Sequence, residues 1–235
     1  MKLDEFDNLL WSFTTREFGG NLAFHVEDDP VKVDSNHMEL SKKLGFKKEK
    51  LVHMKQIHSN DVHCVNENDC YAFPPTCDAL MTNKKDIPLM VMVADCTPVL
   101  FYDPTCKTIG VAHVGRAGAF SNIIANIIVK MHDEYGSKAS DLVVSIGPAI
   151  GSCCYEVGID IYESVKDELA YAFELRDNRY FLDINKIIIK QLQECGVKNE
   201  NIENEKRCTS CHKDRYFSYR AEGKTGRFAG ILMLR

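Results

Sequence analysis

Apolar and polar residues alternate along the chain in patterns that predict a mixture of helices and short strands. Residues 31–44 carry apolar positions at helical spacing, whereas 51–56 and 62–65 are short β-leaning segments on either side of His58. Three closely spaced strands are predicted within residues 88–113, and another buried strand at 141–147. Helices are predicted at about 158–172 and 183–195, and strands again around 216–220 and 228–234.

A glycine-containing turn at residues 115–118 is followed by apolar residues that would share one face of a helix. These are Phe120, Ile123, Ile124, Ile127, Ile128 and Met131. Strands and helices mix without strict βαβ repetition, and some neighbouring strands are close enough for hairpins, so the predicted fold class is α+β (mixed α/β), with a mixed sheet flanked by helices. No repeat, low-complexity tract or linker divides the sequence, which predicts a single domain over residues 1–235.

Composition narrows the classes of function. The chain has 235 residues, of which 45% are hydrophobic and 27% charged, the balance of an ordinary globular protein. A formal charge of −5 argues against a nucleic-acid partner, because such binding needs clustered Lys and Arg. The sequence shows neither an export signal nor an apolar run of about 20 residues. We therefore expect a cytoplasmic protein without a membrane partner, and a monomer by default.

Ten cysteines would suggest disulfides only in a small exported domain, so reduced thiols are expected here. Four of them are isolated in the sequence and are expected to act as small apolar residues: Cys64, Cys70, Cys106 and Cys195. The adjacent Cys153 and Cys154 are expected to pack beside a Gly-Pro turn. Cys208-Thr209-Ser210-Cys211-His212 has the spelling of a c-type haem site, but that chemistry belongs to exported proteins. Cys211 and His212 are then incidental or an accessory metal pair.

The main candidate for chemistry is a set of three residues expected at strand ends. Cys96 lies 38 positions after His58, and His113 lies 17 positions after Cys96. Zn²⁺ accepts imidazole nitrogen and thiolate sulfur, and three protein ligands leave a fourth position open for water or substrate. The spacing alone also fits ordinary core residues whose polar atoms are satisfied.

The motifs in order resemble those of the YfiH family, also called the laccase-domain or multicopper polyphenol oxidoreductase family. The resemblance covers nearly the whole chain. Its motifs are Phe13-Thr14-Thr15-Arg16 with Gly19-Gly20, Gln56-Ile57-His58, Cys77-Asp78-Ala79-Leu80-Met81-Thr82, Ala94-Asp95-Cys96-Thr97-Pro98-Val99-Leu100, His113-Val114-Gly115, Ile146-Gly147-Pro148-Ala149-Ile150, Tyr155-Glu156-Val157, Cys208-Thr209, Phe217-Ser218-Tyr219-Arg220 and Thr225-Gly226-Arg227.

The resemblance implies a mononuclear zinc site formed by His58, Cys96 and His113, with copper as the alternative metal. It also implies phosphorolysis of adenosine, inosine and methylthioadenosine to the free base and ribose 1-phosphate, together with adenosine deamination. The expected partners are therefore small molecules, a nucleoside and phosphate. The name laccase does not fit literally, because eight scattered histidines form no dense cluster in the sequence for several copper ions.

Further residues are candidates for the reaction itself. Asp95 and Asp78 could move a proton during deamination or could orient a zinc ligand. Phosphate requires cations, and the candidate residues for binding it are Arg16, Arg116, Arg220 and Arg227, each of which could instead form an ordinary ion pair. The family's usual His-x-Gly-Trp-Arg-Gly is replaced here by a sequence with Arg116 and Ala117 at the Trp and Arg positions. This change is therefore expected to affect substrate preference more than metal binding.

Two alternatives remain at this point. Cys96 could be a thiolate nucleophile activated by His113, which would make the protein an amidase-type hydrolase acting on a cell-wall precursor or another amide. The protein could also be a non-catalytic zinc-binding protein, if the changed 115–118 turn has lost catalysis. A thiolate that binds zinc is not free to attack a carbonyl, so metal analysis separates the first alternative from the zinc enzyme.

Overall fold

The computed structural model describes residues 2–66 and 68–235. The strands are β1 (Leu9–Phe13), β2 (Val62–Cys64), β3 (Ala79–Thr82), β4 (Leu89–Val93), β5 (Thr97–Asp103), β6 (Thr108–Val114), β7 (Val143–Ile146), β8 (Glu156–Val157), β9 (Phe173–Arg176), β10 (Arg179–Leu182), β11 (Ile202–Asn204) and β12 (Phe228–Leu234). The helices are α1 (Pro30–Leu44), α2 (Arg116–Phe120), α3 (Ile123–Tyr135), α4 (Ile159–Leu169), α5 (Ile184–Glu194) and α6 (Tyr219–Glu222).

The strands form one large mixed sheet and two small antiparallel sheets. The large sheet has the order β11-β7-β5-β6-β3-β2, with parallel pairs at its two ends and antiparallel pairs between them. The second sheet has the order β1-β12-β4, and the third has the order β8-β10-β9. At the centre of the large sheet, β5 and β6 form an antiparallel hairpin.

The core lies on both faces of the β5–β6 hairpin, whose two strands are buried along their whole length. Val99 and Phe101 belong to a cluster with the apolar faces of α3 and α5, whereas Leu100 and Tyr102 belong to a cluster with β4 and β12. The second sheet packs closely against the large sheet because Gly230 of β12 has no side chain. A Cβ at Gly230 would lie 3.2 Å from atoms of Pro98 and Val91. The helix α1 covers the outer face of that sheet.

The predicted α+β fold class is confirmed. The strands within 88–113 and the helices near 31–44, 158–172 and 183–195 are also confirmed. The isoleucines and Met131 predicted to share one face form the buried face of α3, whereas Phe120 lies in α2, which is separated from α3 by the left-handed backbone of Asn122. The prediction of a strand at 216–220 is wrong, because Ser218 caps the N-terminus of the short helix α6 and its hydroxyl accepts a hydrogen bond from the Ala221 N–H. The segment 51–56 forms only isolated bridges. No helix in the described ranges has both the length and the apolar character that a bilayer crossing requires.

Truncation of a buried residue of α3 should destabilise the fold. Ile127 is fully buried and its Cδ1 atom lies 2.9 Å from where a Cβ on Gly110 of β6 would stand, so Ile127→Ala leaves a void between helix and sheet. We expect the free energy of unfolding to fall by about 2–5 kcal/mol in a denaturant titration. Val129→Ala is the matched control on the exposed side of α3, where 54% of Val129 is accessible. Equal stability of the two variants would contradict this assignment of the core.

Candidate functional site

The β5–β6 hairpin brings Cys96 and His113 together. Thr97 pairs with Val114 and Pro98 pairs with His113, so the start of β5 lies beside the end of β6. Cys96 lies in the turn between β4, which belongs to the second sheet, and β5. The 17 positions between the two residues are therefore the length of one hairpin.

His58 reaches the same place from a turn that precedes β2. Its backbone is in the left-handed region, with φ of 60°. The buried carboxylate of Asp78 holds this turn by accepting hydrogen bonds from the N–H groups of Ile57, His58 and Ser59, at 3.2, 3.1 and 2.7 Å, and from the Ser59 hydroxyl at 2.9 Å. Asp78 directly precedes β3, which pairs with β6, so the turn is fixed to the sheet that carries His113.

The three side chains fit a single divalent cation. His113 donates from Nδ1 to Asp78 Oδ1 at 2.8 Å, which leaves Nε2 as the ligating nitrogen. One ligand atom from each of His58, Cys96 and His113 lies within 4.8 Å of the others, and atoms bound to one Zn²⁺ are roughly 3.3–3.8 Å apart. A Cβ on Gly115 would lie 3.1 Å from Cys96 Sγ and 3.2 Å from His58 Cδ2, so the glycine lets the backbone pass close to the ligands.

Electrostatics prepares these ligands for a cation. Burial by itself would raise the pKa of the Cys96 thiol, but His113 and His58 outweigh it and lower the pKa to about 6. Burial would lower the pKa of His113, yet the charges of Cys96 and Asp78 raise it to about 9. Burial likewise opposes ionisation of Asp78, whose bonds from His113 and Ser59 bring its pKa to about 2. A cation that replaces the proton of His113 would find the sulfur already ionised.

A cavity of about 350 Å³ opens at the candidate metal site, a size typical of small-ligand pockets. It is lined by His25, Gln56, His58, Met92, Val93, Ala94, Asp95, Cys96, His113, Val114, Gly115, Arg116, Ile150, Tyr155, Ile184, Tyr219, Arg220 and Arg227. Apolar and aromatic side chains form much of the wall, and the polar groups among them include three arginines. The cavity can therefore accept a ligand with a flat apolar part and an anionic part.

The two predicted carboxylates occupy different positions. Asp95 lines the cavity, with φ of 89°, and accepts hydrogen bonds from the Thr209 hydroxyl and the Arg220 N–H, both at 2.6 Å. Asp78 lies behind His113 and does not line the cavity. Asp78 can therefore orient His113 and the His58 turn, and Asp95 is the one of the two carboxylates that contacts the cavity.

The structure places three of the four predicted arginines at the cavity and one outside its wall. Arg116, Arg220 and Arg227 line it, although Arg220 also donates to the carbonyl oxygens of Cys154 and Glu156, each at 2.9 Å. Arg16 instead pairs with Glu222 and lies over the ring of Phe217.

Several cavity residues were not singled out from the sequence as site residues. His25 and Tyr219 line the wall, and burial and then the nearby Arg227 lower the pKa of His25. Gln56 donates to and accepts from the backbone of Met92, which fixes the segment before His58 to β4. Gln56 and Tyr155 belong to recognised motifs, which was the available signal, whereas His25 lies in an irregular segment without one.

Comparison with known proteins identifies the family of the chain. The family model described as "Multi-copper polyphenol oxidoreductase laccase" matches residues 13–235. The chain belongs to this family. A purine nucleoside phosphorylase of Corynebacterium glutamicum is 38% identical over 233 residues, covering 94% of this chain and 93% of that protein. The purine nucleoside phosphorylase YlmD of Geobacillus stearothermophilus is 32% identical over 225 residues, covering 90% of this chain and 82% of that protein.

Two solved structures are similar to this chain in fold. The hypothetical protein YfiH of Bacillus licheniformis superposes with a TM-score of 0.93 at 29% identity, covering 99% of this chain and 95% of that chain. YlmD from Geobacillus stearothermophilus superposes with a TM-score of 0.91 at 31% identity, covering 98% of this chain and 93% of that chain. The resemblance identified from the motifs is therefore confirmed at the level of family and fold.

Replacement of Asp78 should weaken metal binding without removing a ligand. The amide of Asp78→Asn has one acceptor oxygen, so its NH₂ group would face some of the donors that now hold the His58 turn and His113. We expect divalent-metal affinity to fall roughly 10- to 100-fold in competition with a chromogenic chelator. Asp133→Asn, at an exposed position of α3, is the matched control and should bind metal normally. Unchanged affinity in folded Asp78→Asn protein would refute the positioning role.

Proposed function

We propose that this protein is a zinc-dependent purine nucleoside phosphorylase that cleaves adenosine, inosine and methylthioadenosine, with adenosine deamination as an additional activity. The observation that carries the proposal is the juxtaposition of the His58, Cys96 and His113 ligand set with a cavity bordered by arginines. Relatives that match most of the chain are named purine nucleoside phosphorylases, which supports the same substrate class.

His58, Cys96 and His113 would hold the zinc, which when bound supplies a Lewis acid at the cavity floor. Zinc suits this set because it accepts two imidazoles and one thiolate. Among the described residues, the only other cluster of His, Cys or acidic residues suited to a metal is made of four cysteines. That distribution offers nothing resembling the several histidine-rich copper sites of a multicopper oxidase.

In phosphorolysis the bond between ribose C1′ and the purine nitrogen breaks and a phosphate oxygen bonds to C1′. The electron pair of the broken bond leaves with the purine, which takes up a proton. Arg116 and Arg227 supply positive charge for the phosphate at the cavity wall, and Ile150 and Tyr155 offer apolar and aromatic surface to the base. Such binding aligns the two reactants and excludes water that would otherwise compete with phosphate.

Asp95 is the carboxylate that we assign to proton movement in the cavity. Its oxygens already accept hydrogen bonds from Thr209 and Arg220, so its orientation is fixed before a substrate arrives. A fixed acceptor suits general acid–base chemistry because the proton then travels over a defined distance. Asp78 contributes by orienting His113 and the His58 turn.

The proposal predicts a phosphate-dependent release of adenine. Zinc-loaded protein incubated with adenosine and phosphate should yield adenine and ribose 1-phosphate, separable by chromatography, and inosine if deamination also occurs. Without phosphate, adenine release should cease. His58→Ala should abolish formation of all these products together with metal binding at this site. His132→Ala, at an exposed position of α3, should leave product formation and metal binding unchanged.

The same assay separates the proposal from its alternatives. A chelator should stop turnover in the zinc enzyme, while persistence of activity in chelator and its loss with iodoacetamide would favour the Cys96 nucleophile. The lowered pKa of Cys96 beside the raised pKa of His113 favours a thiolate–imidazolium pair, which keeps this alternative open. Stoichiometric zinc with no product from any of the three nucleosides would favour a non-catalytic protein.

Replacement of Arg116 should weaken the binding of phosphate more than the binding of nucleoside. It is exposed at the cavity wall, in the turn where the sequence departs from the usual family motif. We expect Arg116→Gln to raise the KM for phosphate roughly 10- to 100-fold, the value of one charge-assisted interaction, with zinc content unchanged. Arg215→Gln, which removes an exposed arginine outside the cavity wall, is the control. An unchanged phosphate KM in Arg116→Gln would remove this residue from the anion site.

A further inference from the structure

Four cysteines from two distant segments meet beside the cavity. Cys153 and Cys154 lie between β7 and β8, and Cys208 and Cys211 lie between β11 and α6. Their sulfur atoms all lie within 4.8 Å of one another, and all four thiols are free. The sequence alone predicts packing for Cys153 and Cys154, a family motif for Cys208, and an incidental or accessory metal pair for Cys211 and His212. It does not predict the cluster, because nothing in their spacing links residues more than 50 positions apart.

The distances between the sulfur atoms are those of metal ligands. Cys211 Sγ lies 3.4 Å from Cys154 Sγ and 3.6 Å from Cys153 Sγ. Four thiolates around one Zn²⁺ with bonds of about 2.3 Å are separated by roughly 3.8 Å. A disulfide requires a separation of about 2.05 Å, so these sulfurs lie well beyond bonding distance and close to the edge length of a tetrahedral site.

The backbone around the cluster is arranged as in known sites of this kind. Cys208 and Cys211 have the C-x₂-C spacing that is common in structural zinc sites. The Gly151 N–H donates to Cys208 Sγ at 3.3 Å, an interaction that stabilises a thiolate. Ala149 and Cys208 form an isolated β-bridge, and the Ala149 carbonyl accepts a hydrogen bond from the Thr209 N–H at 3.0 Å. Main-chain contacts therefore already align the two segments.

We propose that Cys153, Cys154, Cys208 and Cys211 bind one Zn²⁺ in a closed, tetrahedral, structural site. Four protein thiolates fill the coordination shell, so the ion has no open position for a substrate. Its effect would be to join the two segments that border the cavity.

The joined segments carry cavity residues. Tyr155 follows Cys154 directly, and Arg220 donates to the Cys154 carbonyl at 2.9 Å and lies over the Tyr155 ring at 5.3 Å. Both line the cavity. The second ion would thus fix one wall of the candidate site without taking part in its chemistry, and its binding does not depend on the proposed nucleoside activity.

Cobalt spectroscopy can test this site in isolation. In Cys96→Ala protein, purified with reductant and without chelator, the thiolate of the first site is absent. We expect this protein to bind one Co²⁺ with intense thiolate charge-transfer absorption, displaced by Zn²⁺. Adding Cys208→Ser should weaken cobalt binding and strongly reduce the absorption. Adding Cys106→Ser, a half-buried cysteine in the β5–β6 turn, should leave it intact.

Two results would overturn the proposal. One is the lack of thiolate-to-cobalt absorption in folded Cys96→Ala protein. The other is a disulfide within the cluster, found by peptide mapping of the protein purified with reductant. If Cys208→Ser prevents folding, the exposed Cys153 provides the substitute, and Cys153→Ser should reduce the absorption and weaken cobalt binding. Loss or retention of nucleoside cleavage in these variants decides neither outcome.

Discussion

The carboxylate of Asp78 is the interaction on which the geometry of the candidate site depends. A buried charge is costly unless hydrogen bonds replace the water that it loses. Here five donors replace that water: three backbone N–H groups and a hydroxyl from residues 57–59, and the imidazole of His113. The cost of burying one charge is thereby offset by hydrogen bonds from groups that position two of the three candidate metal ligands. The positions of His58 and His113 are coupled through this one residue before any cation binds.

The β5–β6 hairpin supplies the rigid part of the site, and irregular segments supply the rest. Its strands are packed between the α3–α5 layer and the second sheet, so the positions of Cys96 and His113 follow from two buried faces. The cavity walls come from the segments near Asp95, Tyr155 and Arg220, which are joined by hydrogen bonds rather than by a sheet. The candidate ligands thus lie on or beside the sheet, whereas much of the cavity wall lies on loops, where substitutions are generally tolerated more easily.

Sequence patterns predicted the elements whose stability is local. The buried strands between 88 and 113 and the face of α3 follow from runs and spacings of apolar residues, and the recognised motifs contain the three candidate ligands that the structure brings together. Non-local partners could not be read in this way. The pairing of β4 with β12 and the ion pair of Arg16 with Glu222 join distant residues. The aromatic run at 216–220 was read as a strand, because its pattern gave no sign that the Arg220 N–H would bind Asp95.

The tight space at Gly115 has a consequence for laboratory evolution of this enzyme. A side chain there would bring its Cβ to 3.1 Å from the sulfur of Cys96 and 3.2 Å from the ring of His58, so a substitution at position 115 requires these two residues to shift. Arg116 and Ala117, the next two positions, are exposed. Libraries that vary the cavity wall therefore displace less of the candidate site at positions 116 and 117 than at position 115.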